Sequence, residues 1–333
     1  MNNKTGKPAI IALISLLMFS TLASAAGKVA LKDAEGNDIL KAASVPSRLS
    51  VNPLELAGIL GYLKEAKIKL DYVGTLGPAA IIPALLSGGI DIGNGHIPRA
   101  IGATSRGARL KAVAASSHTT KEKPHMTYMV LENSPIKTWK DLVGKRVTVS
   151  AWGGCNEYTA YEYIRTKGVK NAKQAIKTQV VTPGTEETVL RTNNTDVAGI
   201  HQSPDILLKR PGWRILFTDY DIWGEIGGNA PHYMSDDFIK ANPDLVRRFV
   251  GVVARTNNFM NKNPLKARQL YAEHFKLKLE NVSINYYEPD AILQPNTISL
   301  WNDILLAYGD IKKPVPIEQV YTNEYNPNYK KKL

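Results

Sequence analysis

His96, His201 and His232 each stand in or beside a short polar loop, where an imidazole can hold a metal, move a proton or simply hydrogen-bond. The three are far apart in the chain, with no close spacing such as His-x-x-x-His. They are therefore read first as neutral hydrogen-bonding groups, with ligation of a metal or metal chelate as the alternative; the expected site includes no metal and no cofactor. The single cysteine, Cys155, carries no sequence mark of an activated thiol and reads as a small apolar neighbour of a ligand. Trp152 and Trp223 offer flat faces, for stacking on a flat ligand or for core packing. Tyr158 and Tyr161 read as core. No Gly-x-Ser-x-Gly, His-Glu-x-x-His or phosphate-loop pattern occurs, so catalysis is not expected.

These residues need elements to position them, and the stretch Asp141 to Gly168 shows how. Arg146 to Ser150 is β-branched and reads as a buried strand, and Asn156 to Thr166 carries Tyr158, Tyr161 and Ile164 on one helical stripe. Between them lie Trp152, Gly153, Gly154 and Cys155. A glycine turn from a strand into a helix aims unpaired N–H groups at a crevice above the sheet. The same pattern recurs at Ile90 to Ile92, followed by Asn94, Gly95 and a helix beginning near His96, and at Val197 to Ile200, followed by His201, Gln202, Ser203 and Pro204. It begins with a strand from Ile39 to Ala43, a loop carrying Ser50, and Asn52-Pro53, a helix cap followed by a tolerated proline. The ligand-binding candidates are thus Ser50 and Asn52; Asn94, Gly95 and His96; Trp152 to Asn156; His201, Gln202 and Ser203; and Asn229 at a later chain crossing.

Strands alternate with helices through two thirds of the chain, which predicts an α/β protein with mainly parallel sheets. Further strands are expected at Ile68 to Val73, Leu110 to Ala115, Thr127 to Leu131, Gln179 to Val181 and Trp213 to Phe217, and helices after Asn242-Pro243, after Pro264 and from Thr297 to Tyr308. Composition changes near Asn133 and the glycine-rich Trp223 to Gly228 mark two crossings, hence a hinge. The expected division is a signal peptide over 1–25, a first domain over 26–132, a second over 133–225, and a return with C-terminal helices over 226–333. Lys4 and Lys7, the apolar run Ala9 to Phe19 and Ala23-Ser24-Ala25 predict cleavage and export to the periplasm. The formal charge of +12 falls to about +10 in the mature chain and is spread out, with no basic stripe for nucleic acid.

The runs PLELAGILGYLKEAKIKLDYV, ALLSGGIDIGNG and VLENSPIKTWKDLVGKRVTVSAWGG resemble the periplasmic substrate-binding proteins of the nitrate, sulfonate, taurine and thiamine-precursor ABC importers. The similarity runs from about Ile39 to Phe275. It implies a type II periplasmic binding protein: two α/β domains joined by a two-crossing hinge and closing on a ligand. It also implies a small-molecule cargo, a small organic anion or flat heterocycle of sulfonate-like kind, and a permease and ATPase complex as partner. A sensor as the receiving partner, and an enzyme related to pyrimidine-precursor synthesis, stay open as alternatives. The chain departs from the family where Asn94-Gly95-His96 and His201-Gln202-Ser203-Pro204 replace its usual loops, and Arg48 is the only Arg or Lys read in the ligand loops.

Overall fold

A computed structural model describes residues 29–330 other than 46 and 229. The expected signal peptide and Asn229 lie outside the described residues. Two twisted sheets organise the chain. Strands β1 (Asp38–Ser44), β2 (Ile68–Thr75), β3 (Gly93–Asn94) and β4 (Leu110–Ala114) belong to the first sheet. Strands β5 (Thr127–Leu131), β6 (Arg146–Val149), β7 (Lys177–Val180), β8 (Ala198–Ile200) and β9 (Trp213–Thr218) form the second. The chain then returns to the first through β10 (His232–Ser235).

The first sheet has β1 parallel to β2, Ile92 bridged in parallel to Ala42, and β10 antiparallel to both β3 and β4. The second repeats this plan, with β6 parallel to β7, Val147 bridged in parallel to Val197, and β5 antiparallel to β8 and β9. In each sheet one antiparallel member, β10 or β5, pairs with strands on both sides; β5 precedes Asn133, so the chain enters the second sheet between β4 and β5, earlier than the composition change near Asn133. The fold is the type II periplasmic binding protein, two α/β lobes with the first built from both ends of the chain.

Local sequence explains the helix starts that matter. Asn52 Oδ1 accepts the N–H groups of Leu54 (2.9 Å) and Glu55 (3.1 Å), and Pro53 opens α1 (Pro53–Ile59). The helix ends at Ile59, and Gly61 takes a φ of 78° before a second turn begins. His96 caps α2 (Ile97–Thr104) without using its side chain, and Gly154 likewise caps α3 (Cys155–Arg165). The His96 imidazole is thereby free for other partners. The long α4 (Pro243–Lys262) buries Leu245, Val246, Phe249, Val250 and Val253 on one face against the first lobe.

The C-terminal segment is built into the first lobe: Val320 is fully buried, Tyr321 bridges to Ala112, and the Asn323 side chain pairs with the backbone of Leu293. No described helix is long and apolar enough to cross a membrane.

Candidate functional site

The strand-end loops converge between the lobes. His96 comes from the start of α2, Cys155 from the first turn of α3, His201 from the end of β8, and His125 from the loop that leads into β5. The Cys155 Sγ lies 3.7 Å from His96 Nε2 and 3.6 Å from His201 Nε2, and His125 Nε2 lies 3.4 Å from His96 Nδ1. One ligand atom from each of the four falls within 4.8 Å of the others. His96, His125 and Cys155 are buried and His201 is half-buried.

Burial holds the His125 imidazole down to about pKa 4, and burial with neighbouring imidazoles holds His96 and His201 well below the usual histidine range. Burial likewise pushes the Cys155 thiol up. At neutral pH the cluster is three neutral imidazoles and a protonated thiol.

Cavities flank this cluster. A cavity of about 210 Å³ touches Asn52, Asn94, Gly95 and His96 on the first lobe, and another of about 220 Å³ touches Ser50, His201 and Gln202 between the lobes. The largest, a groove of about 800 Å³, runs between α2 and α3 and is lined by Arg99, Arg106, Trp152, Gly153, Tyr161 and Lys173, among others. Trp152 is 57% exposed on it.

Arg99 spans the cleft, donating from Nε to the Trp152 carbonyl and from an Nη to the Ala151 carbonyl, each at 3.2 Å. A Cβ on Gly154 would sit 2.7 Å from the same guanidinium, so glycine at this position admits the arginine. No described carboxylate pairs with Arg99. The acids of the groove are engaged elsewhere: Glu157 accepts the Gly153 N–H (2.6 Å), and Asp310 accepts Tyr158 and Lys173 (both 3.0 Å).

The profile of the family described as NMT1/THI5 like matches residues 50–267. The chain belongs to this family. Among solved structures, the NMT1/THI5-like chain is similar to the alkanesulfonate-binding protein SsuA from Xanthomonas axonopodis pv. citri bound to MOPS, at TM-score 0.68 and 19% identity, covering 88% of this chain and 99% of that one. A ligand-binding component of an ABC-type import system from Staphylococcus aureus with zinc bound gives TM-score 0.70 at 13% identity, covering 87% and 98%. The periplasmic nitrate-binding protein NrtA from Synechocystis PCC 6803 gives TM-score 0.67 at 14% identity, covering 86% of each. The desulfurization enzyme DSZB shares the fold at TM-score 0.59 and 16% identity, covering 88% and 98%. No curated protein sequence shows significant similarity.

Within this family member the sequence candidates separate into groups. Asn52, Asn94, Gly95 and His96 gather around the smallest cavity, Ser50, His201 and Gln202 around its neighbour, and Trp152 and Gly153 on the groove. Gly154, Asn156 and Ser203 line none of the three. Asn156 is fully buried and donates to Ser150 Oγ (3.1 Å), so it braces the turn from behind.

The metal alternative of His96, His201 and His232 needs correction. His232 opens β10, packs edge-on against Phe249 at 5.7 Å between ring centres, and lies outside the four-residue group. His125 takes its place, and Cys155 joins. Trp223 packs on Trp301, with ring centres 5.2 Å apart, and does not line the groove. Sequence reasoning missed His125 and Arg99. Arg99 lies one helical turn beyond His96, a spacing that puts both near the same helix end.

Proposed function

We propose that the chain is the exported solute-binding subunit of an ABC importer, which takes a small, flat organic anion in the groove between α2 and α3 and passes it to a membrane permease and its ATPase. The observation that carries this reading is Arg99, a cation on the groove wall bonded only to backbone carbonyls. An anion supplies the charge partner that the protein does not. Arg106 adds a second, exposed cation, and Trp152 presents a face on which a flat solute can stack. A volume of about 800 Å³ suits a small-molecule ligand.

The alkanesulfonate-binding relative supports a sulfonate as the anionic group, and the raised Cys155 thiol argues against an activated nucleophile and hence against catalysis. Because the groove is lined from both lobes, a solute bound there favours the closed form.

The test is a thermal-shift and tryptophan-fluorescence titration of the mature protein with arylsulfonates and arylcarboxylates. Saturation by one of them in wild type, weakened in Arg99→Gln, is expected. A panel of anions that leaves both signals unmoved would overturn the reading.

A further inference from the structure

We propose that His96, His125, Cys155 and His201 form a binding site for a borderline transition-metal ion of zinc-like preference, set between the lobes beside the anion groove. The donor set argues first. Three imidazoles and one thiol are ligands for zinc, cobalt, nickel or copper, whereas calcium and magnesium require oxygen, and this group contains no carboxylate.

Distance argues next. A tetrahedral ion with bonds of about 2.0–2.1 Å to nitrogen and about 2.3 Å to sulfur holds its ligands about 3.3–3.6 Å apart. The Cys155 sulfur lies 3.6 Å from His201 Nε2 and 3.7 Å from His96 Nε2, and one ligand atom from each of the four residues falls within 4.8 Å of the others. These residues come from four separate stretches of chain, so no local turn dictates their approach.

Burial argues third. Polar heads cost free energy when buried without strong partners, and here the heads face chiefly one another while the second nitrogen of His125, Nδ1, has no partner. A cation at their centre offsets that cost.

The surroundings hold His125 in place. Its backbone N–H donates to Thr119 Oγ1 at 3.3 Å, Thr119 donates in turn to the buried Asp219, and Asp219 also accepts the N–H of Met126 at 3.0 Å. Gly228 closes over this corner. A Cβ there would lie 2.0 Å from Thr119 Oγ1 and 2.5 Å from His125 Cβ, so only glycine fits. The charges acting on the cluster are Arg99 and Asp219, one of each sign.

On binding, the Cys155 S–H bond breaks, its electron pair forms the sulfur–metal bond, and the proton passes to the buffer. The imidazoles bind through the lone pairs they already present. No redox change is involved.

The inference does not depend on the groove and is tested with the mature, chelator-stripped protein and cobalt(II) as the probe. The expected result is one equivalent of cobalt with the intense visible absorption of a tetrahedral site and a near-ultraviolet thiolate-to-cobalt band. Cys155→Ser loses the charge-transfer band, and zinc competition against a chromophoric chelator weakens at least about a hundredfold in both Cys155→Ser and His201→Ala. His274→Ala, on the exposed face of a distant helix, leaves both readings unchanged.

A wild-type spectrum that stays that of hydrated cobalt overturns the site. So does a charge-transfer band that survives Cys155→Ser. Arylsulfonate binding that persists in the metal-free protein would keep the anion reading even if the metal site fell.

Discussion

The cluster and the groove share one cleft and are built on opposite principles. The cluster is mostly buried, and its four heads approach within 4.8 Å, which leaves no space for an organic solute among them. The groove is about 800 Å³, partly open, and walled by cations and an exposed indole. One demands fixed distances and donor types; the other demands charge and a flat face. A polar residue near a ligand cleft therefore cannot be assigned a role by location alone. Its partners and their spacing decide.

The sharpest way to break the comparison is Gly228→Ala. The added methyl must displace Thr119 and His125, at a cost of about 1–3 kcal/mol or more in stability. Cobalt titration should show metal affinity falling about a hundredfold, with arylsulfonate binding within a few-fold of wild type. Equal loss of both would mean the two regions are one site.

Arg99→Gln is the converse change. Losing charge-assisted bonds worth about 1.5–3 kcal/mol raises the anion dissociation constant about tenfold to a hundredfold by isothermal calorimetry, while the cobalt charge-transfer band remains.

Acidity supplies the third test. Burial holds the His125 and His232 imidazoles down to about 4 in the folded protein, against an ordinary value of 6.5. Between those values the unfolded chain binds more protons, so stability falls as pH falls from 6.5 toward 4, by up to about 1.4 kcal/mol per unit for each such histidine. Asp219, raised from 3.8 to about 6, and Glu157 and Glu186, which burial also raises, act in the opposite sense, against the four desolvated imidazoles of His96, His125, His201 and His232. Melting curves of metal-free protein from pH 7 to 4.5 should show the melting temperature dropping; a flat profile would mean that the imidazoles are not desolvated.

The smallest effect belongs to Trp152→Ala, which should cost about 0.5–1.5 kcal/mol for an arylsulfonate and nearly nothing for an alkylsulfonate, read as the ratio of their dissociation constants.

Much of this architecture was readable in advance because it is local. Asn52-Pro53, the glycines before His96 and Cys155, and proline after Ser203 or Asn242 are capping and turn signals that depend on a few adjacent residues. Strand β10 was not read. Its four residues follow a glycine-rich crossing, and its place in the sheet comes from pairing with strands more than a hundred positions earlier.

The cluster was legible only in part for a similar reason. His96 and His201 stand at loops with visible glycine or proline punctuation. His125 follows Lys121-Glu122-Lys123, a run that reads as solvated surface, and becomes buried only when Thr119, Asp219 and Gly228 close around it. Cys155, with no second cysteine, offered no spacing to interpret. Metal-type sets drawn from four distant stretches leave no pattern along a chain; they exist only in the folded contacts.

The arginine that bridges the cleft has a further effect, on time. Its bonds to the carbonyls of Ala151 and Trp152 join the start of α2 to the turn before α3, so they hold only while the lips stay together. Parting the lips must break both before any cargo can leave, which places their cost on the escape barrier. In the proposed carrier role, that barrier would make release slow until a docking partner parts the lips.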